Sequence, residues 1–295
     1  MRDYLLRSML YVPAYRKKFI DSALNCNADA LLIDLEDAVP AEFKADARVI
    51  LKEYIETGAF KDRMVFVRLN PIESNMLFED LKHVLHPDIN GFILTKIYTD
   101  EDMVFYDKLI TQHEHEMGIC DGHFKFLPLI ETTSAVMNVY NIAKASKRTI
   151  AVCFGGEDFL NDLEGLHKEP PRSFDYPRAS IALAARAAGV LPIDTPYLAL
   201  DNMDGFVKEE KISFEMGFAG MQLIHPKQIS YANECFMPEP EEIEKSMAIV
   251  EAIKESSKAG SGVAMLNGKM IGPPMRKRAE KVLEIVELAK KYDKQ

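Results

Sequence analysis

Residues 124–163 begin F-K-F-L-P-L-I-E-T-T-S-A and, after a helix-period run, end T-I-A-V-C-F-G-G-E-D-F-L-N-D-L. Each half is an apolar run that stops at a carboxylate, the first at Glu131 and the second at Gly155-Gly156-Glu157-Asp158. Short apolar runs bounded by turn residues read as buried strands. Val136, Val139, Ile142 and Ala143 recur between them at helical spacing. The stretch therefore predicts a strand–helix–strand unit with an acid at the carboxyl end of each parallel strand. Neighbouring strands lie roughly 5 Å apart, so Glu131 and Asp158 can reach one common point. Two carboxylates there repel unless they share a proton or a cation. Mg²⁺ suits such a pair, because it often takes one or two carboxylates and leaves its other positions to water and substrate. The alternative is that Glu131 caps the next helix and Asp158 is solvated in a loop.

Working outward, the same grammar repeats. Apolar runs at residues 8–14, 29–37, 64–70, 91–97, 191–198 and 219–224 join the central two, and helical spacing separates them. Eight strand signals alternating with helix signals predict an α/β fold, a (β/α)8 TIM barrel. A doubly wound open sheet is the runner-up, but no G-x-G-x-x-G follows the first strand. Gly260–Gly262, G-S-G, reads as plain loop. A longer insertion containing Pro170, Pro171 and Pro177 separates the sixth strand from the helix at 178–188. Residues 1–237 are assigned to the barrel and its site. Residues 238–295, two helical runs around a glycine-rich stretch, exceed what a barrel needs. They are expected to form a C-terminal helical extension packing on the rim or on a neighbouring subunit.

The strand ends collect polar residues: Asp34, Glu36 and Asp37, then Arg68 and Asn70, then Lys96, Glu131 and Glu157/Asp158. In a barrel these ends form one ring. Arg68 suits two-point binding of a substrate carboxylate, or else an internal pair with one of the acids. Lys96 reads as an ion-pair partner, or as a Schiff-base lysine if desolvated. His113 and His115, two apart on a helix, face different directions and read as solvated. His225 either contacts ligand or holds its own loop.

Bulk properties narrow the class. The chain has 295 residues, 47% of them apolar, ample for a sizeable core. A net charge of −10 and no basic run speak against nucleic acid and anionic membranes. Scattered Cys26, Cys120, Cys153 and Cys235, no apolar run of spanning length and no signal peptide predict a cytoplasmic protein.

R-S-M-L-Y-V-P, D-L-E-D-A-V-P with Lys44 and Arg48 downstream, V-R-L-N, L-I-E-T, F-G-G-E-D, A-A-R-A-A-G with I-D-T, I-H-P-K-Q-I and L-N-G-K-M-I-G-P-P occur in one order. In this the chain resembles the citrate lyase beta subunit family, which includes citrate lyase beta-like proteins and malyl-CoA lyases, within the metal-dependent aldolase superfamily. The resemblance implies a Mg²⁺-dependent carbon–carbon lyase, or a synthase in reverse, acting on a CoA thioester of a hydroxy acid such as citryl-CoA or malyl-CoA. It implies that Glu131 and Asp158 hold Mg²⁺, that Arg68 binds the substrate carboxylate, and that Arg16 and Lys17 lie near the CoA phosphates. A homotrimer or homohexamer is implied, with citrate lyase alpha and acyl-carrier subunits as further partners. One departure stands out: many relatives carry aspartate, thought to act in proton transfer, where this chain has Gly272. Asn267 also replaces a common aspartate. Asp37 is then the candidate catalytic base at the mouth, unless it and Glu36 only orient Arg68. The alternatives are an aldolase for free 4-hydroxy-2-oxo acids and a non-catalytic CoA-ester-binding paralogue.

Overall fold

The computed structural model describes residues 4–166, 172–258, 264–266 and 268–292. The chain divides into two compact units, Leu6–Asn233 on one hand and Met1–Leu5 with Glu234–Gln295 on the other.

The larger unit is the predicted barrel. Its strands are β1 (Ser8–Pro13), β2 (Ala30–Asp34), β3 (Val65–Arg68), β4 (Gly91–Leu94), β5 (Lys125–Ile130), β6 (Ala151–Phe154), β7 (Leu191–Asp194) and β8 (Gly220–Leu223). All pair in parallel with their sequence neighbours, and β8 closes on β1. Side chains on both faces of each strand are buried, as in Leu31, Leu32 and Ile33 or Val65, Phe66 and Val67. Such strands read as continuous apolar runs because helices cover the outer face and barrel packing fills the inner one. The surrounding helices are α1 (Lys17–Leu24), α2 (Lys44–Glu56), α3 (Leu77–Val84), α4 (Asp100–Met117), α5 (Thr133–Lys144), α6 (Gly156–Asp162), α7 (Asp175–Ala188), α8 (Met203–Glu215) and α9 (Ile229–Cys235).

Two expectations change in detail. The seventh strand stops at Asp194, well short of 198, and the Asp194 side chain pairs with Arg178 at 3.0 Å. Pro177 is not in an insertion but in the first turn of α7, where its missing N–H has no intrahelical partner to lose. Pro170 and Pro171 lie outside the described residues, as do Gly260–Gly262 and Asn267.

The H-E-H run of α4 is structural. Glu114 is fully buried and takes two hydrogen bonds of 2.6 Å from Arg148 plus the backbone N–H groups of Gly122 and Phe124. His115 pairs with exposed Asp121. Cys153 is buried in β6, which pushes its thiol pKa up. Among the described residues no helix is long and apolar enough to cross a membrane.

The smaller unit holds α10 (Pro240–Lys258), an antiparallel pair β9 (Ala264–Leu266) and β10 (Lys269–Ile271), and α11 (Pro273–Tyr292). Ile249, Ala264, Ile271 and Ala279 form its buried centre. Among the described residues, a side chain at Gly272 would meet Pro274 at 3.6 Å, an ordinary contact.

Candidate active site

The carboxyl ends of β2 to β6 bring the acids and bases together. Glu131 follows β5 directly, and β5 pairs with β6 through Leu129 with Cys153 and Ile130 with Phe154. The next helix is capped not by Glu131 but by Thr132, whose hydroxyl accepts from Ala135 N–H at 3.1 Å. Glu131 is thereby released to face the mouth. Asp158 sits in the first turn of α6, a helix that sequence spacing did not reveal. Acids there are favoured by the helix dipole.

The two carboxylates converge on one nitrogen. Lys96 Nζ lies 3.4 Å from Glu131 Oε1 and 3.2 Å from Asp158 Oδ2. Lys96 also donates its backbone N–H to Glu131 Oε1 at 2.7 Å. Its backbone is left-handed, with φ of 53°, a costly conformation for a non-glycine residue. That turn lets one residue present both amide and ammonium to one acid. Burial raises the Glu131 pKa to about 8, with Asp158 and Glu36 pushing the same way and Lys96 opposing. Burial works against the Lys96 ammonium, but Glu131 and Asp158 outweigh it and hold its pKa above the usual range. Lys96 is therefore an ion-pair lysine here and not a neutral nucleophile.

This arrangement fits a divalent cation. A buried carboxyl and a half-exposed one already share one positive charge, the ammonium standing where a harder cation would bind. Among the described residues no group of three or more His, Cys, Asp or Glu side chains could hold a metal. A two-carboxylate donor set is what Mg²⁺ accepts, and it leaves coordination positions for substrate. Gly155 completes the cradle, since an added Cβ would meet Glu131 Cβ at 2.5 Å. Gly155→Ala is expected to displace Glu131, costing about 1–3 kcal/mol and weakening Mg²⁺ binding. Thermal melts with and without Mg²⁺ would check both effects; an unchanged Mg²⁺-induced shift would contradict the second.

Arg68 ends β3 opposite Asp34, its register partner at the end of β2. Asp34 is fully buried and holds the guanidinium at two points, Nε to Oδ1 at 2.7 Å and Nη2 to Oδ2 at 2.5 Å. Asp34 also accepts the backbone N–H groups of Glu36 and Ala38. The ring of Tyr11 lies 4.7 Å from the guanidinium carbon, a cation–π contact. Tyr11 in turn donates its hydroxyl to Gln222 at 2.8 Å. The remaining edge, Nη1, lies 3.2 Å from Glu36 Oε2 and 3.9 Å from Asp37 Oδ2. The Asp37 side chain is 65% exposed, that of Glu36 only 7%.

Lys44 fixes the acidic loop from below, donating to the carbonyls of Leu35 and Glu36 and to Asn70 Oδ1. Asn70 is anchored by Asp80, which also takes Arg48 at 2.6 Å. Lys44 and Arg48 stand in the sequence as motif residues without an assigned task; this is the task. Lys17 pairs with Glu53 of α2 at 2.6 Å, and Arg16 lies 5.1 Å from the ring of Tyr15, both just beyond β1. His225 serves its own loop: Nδ1 accepts from Lys227 N–H at 3.1 Å.

The family described as HpcH/HpaI aldolase/citrate lyase matches residues 7–226. Citrate lyase subunit beta of Haemophilus influenzae is 34% identical over 280 residues, covering 95% of this chain and 96% of that protein. Mitochondrial citramalyl-CoA lyase of Homo sapiens is 27% identical over 289 residues, 95% and 85% of the respective lengths. Among solved structures, CitE of Mycobacterium tuberculosis in complex with magnesium, acetoacetate and coenzyme A is similar at a TM-score of 0.74 and 23% identity, covering 97% of this chain and 99% of that one. A citrate lyase of Burkholderia xenovorans is similar at a TM-score of 0.81 and 20% identity, covering 97% and 92%. Both support the barrel.

Proposed function

This chain belongs to the HpcH/HpaI aldolase/citrate lyase family, and on that premise we propose that it is a Mg²⁺-dependent carbon–carbon lyase acting on a CoA thioester of a hydroxy acid such as citryl-CoA or malyl-CoA. The observation that carries this reading is the convergence of Glu131, at the end of β5, and Asp158, in the first turn of α6, on the single cationic nitrogen of Lys96. Relatives named citrate lyase subunit beta and citramalyl-CoA lyase, and a similar barrel holding magnesium, acetoacetate and coenzyme A, supply the substrate class.

In this reading Glu131 and Asp158 hold Mg²⁺. When bound, the ion supplies Lewis acidity toward the oxygens of the oxo-acid half of the substrate. Arg68 takes a substrate carboxylate on its remaining edge, Nη1, because Asp34 already locks the other side of the fork. That lock orients the guanidinium before substrate arrives, which lowers the ordering cost of binding. Asp37, beside Arg68 and open to water, moves protons between the reacting groups and solvent. Arg16 and Lys17, at the start of α1, meet the CoA phosphates in this reading, Lys17 leaving Glu53 to do so. The hydroxyl loses its proton as the bond between its carbon and the thioester α-carbon breaks, and the α-carbon takes up a proton, giving an oxo acid and a shorter acyl thioester.

A second reading is that the thioester sits on an acyl carrier and the chain works beside citrate lyase alpha and carrier subunits. It is favoured by the relatives named citrate lyase subunit beta, at 32–34% identity, against 27% for citramalyl-CoA lyase. A turnover screen with Mg²⁺ against malyl-, methylmalyl-, citramalyl- and citryl-CoA, citryl-carrier thioester and a free 4-hydroxy-2-oxo acid separates the possibilities. Cleavage of a thioester is expected. Cleavage of the free acid alone would favour the aldolase alternative, and cleavage of none would favour a non-catalytic paralogue.

We also propose a homo-oligomer, a trimer or hexamer. Sedimentation at micromolar concentration is expected to give a mass at least three times the 33.4 kDa of one chain; a monomer would contradict this.

A further inference from the structure

Arg68 is surrounded by more acid than one guanidinium can match. Asp34 takes Nε and Nη2, and Glu36 and Asp37 crowd Nη1 at 3.2 and 3.9 Å. Among the described residues Lys44 also contacts this loop, its ammonium sitting on the carbonyls of Leu35 and Glu36. With all three acids ionised, two cations against three anions leave the cluster at −1. An incoming carboxylate would then be repelled from the group meant to hold it. In the metal-free protein Lys96 does not alter the count, since Glu131 and Asp158 already occupy it. Tyr11, packed beneath Arg68, stays neutral because burial raises its pKa.

Glu36 differs from its two neighbours. The residue is 5% exposed, and its Oε2 is buried with no hydrogen-bond partner among the described residues. Arg68 Nη1 is near, yet not aligned to donate to it. An ionised oxygen left so is expensive, whereas a carboxyl group that carries a proton is tolerated and has a hydrogen to offer. Asp34 is satisfied four times over, and Asp37 is open to water. Of these three acids, Glu36 is the one whose surroundings favour a proton.

We propose that Glu36 is a specificity-determining residue of the acid pocket: it must be protonated for a carboxylate to dock on Arg68, so docking of a small anionic acid takes up one proton. The docked carboxylate then meets two donors, the remaining edge of Arg68 and the Glu36 hydroxyl. Burial, helped by Asp37 and Asp34 and opposed by Arg68 and Lys96, raises the Glu36 pKa to about 7, which places the change in the working range. This inference rests on the reading of Arg68 as the carboxylate site.

The test measures binding, not turnover. Pyruvate, a fully ionised oxo acid across this range, is titrated calorimetrically into the metal-free native protein and into metal-free Glu36→Gln, the state in which the charges are counted above. Only the protonated fraction is competent, so the apparent Kd of the native protein should be roughly thirtyfold weaker at pH 8.5 than at pH 6. At pH 7.5, comparison of two buffers of different ionisation enthalpy should show uptake of roughly three quarters of a proton per site. Glu36→Gln, neutral at every pH, should bind with a nearly flat profile and little proton uptake. A native Kd independent of pH, or a Glu36→Gln profile as steep as the native one, would overturn the inference and leave Arg68 as the carboxylate site. Absence of pyruvate binding at any pH would overturn the Arg68 reading and this inference with it. The two-buffer measurement on the native protein decides the matter even if the variant does not fold.

Discussion

Glu131→Gln is expected to lower Mg²⁺-supported thioester cleavage by at least about 10²–10³-fold, the usual cost of removing one preorganised electrostatic group from an active site. The amide matches the carboxylate in shape but contributes no charge to a cation. It also forfeits the charge-assisted bond to the Lys96 backbone N–H, now 2.7 Å long. Asp158→Asn should cost less in stability, since Asp158 is more exposed than Glu131, but it should remove the metal requirement together with activity. The same chemistry sets a pH dependence. A metal ligand must be deprotonated, and burial holds the Glu131 pKa near 8 in the metal-free protein. Mg²⁺ affinity should therefore rise as pH climbs toward 8. Stability of the metal-free protein should move the other way. Glu131 and Glu36 have folded pKa values raised above the ordinary 4.5, to about 8 and about 7. The stability each contributes is full below about pH 4.5 and is lost as pH rises through the folded value. Mg²⁺ should thus raise the melting temperature more at pH 8.5 than at pH 6. Equal shifts at both would contradict this.

Substitution at Arg68 should be nearly as damaging, through two separable effects. Arg68→Ala leaves Asp34 fully buried without its cation, a loss of about 3–5 kcal/mol visible in chemical denaturation. Arg68→Lys keeps the charge but not the planar fork that fits Asp34 on one side and a carboxylate on the other. Losing one charge-assisted hydrogen bond costs about 1.5–3 kcal/mol, so KM should rise roughly tenfold to hundredfold while kcat falls less. A near-native KM in Arg68→Lys would sink the assignment of Arg68 as the carboxylate grip.

The barrel was legible because each strand is apolar on both faces and stops at a charge. Those stops also placed Glu131, Asp158 and Arg68 on one ring. The lock of Asp34 on Arg68 was less visible, although both end adjacent strands, because it depends on a register that sequence does not display. The left-handed turn at Lys96 gives no residue signal at all; lysine is an unusual occupant, held there by the carboxylates it serves. Helix α6 escaped because its seven residues are too few for a helical period. Lys44 and Arg48 read in the sequence only as motif letters, since their work is done on backbone carbonyls and a buried aspartate. Glu36 and Asp37 looked alike in D-L-E-D and differ only in what buries them.

The most direct test of the metal site is a Mn²⁺ titration followed by electron paramagnetic resonance, because Mn²⁺ accepts the same carboxylate ligands as Mg²⁺. The native protein should bind one Mn²⁺ per chain, displaced by Mg²⁺, and the doubly substituted Glu131→Gln, Asp158→Asn protein should bind none at that site. Undiminished binding in the double variant would show that the cation lies elsewhere and would contradict the account.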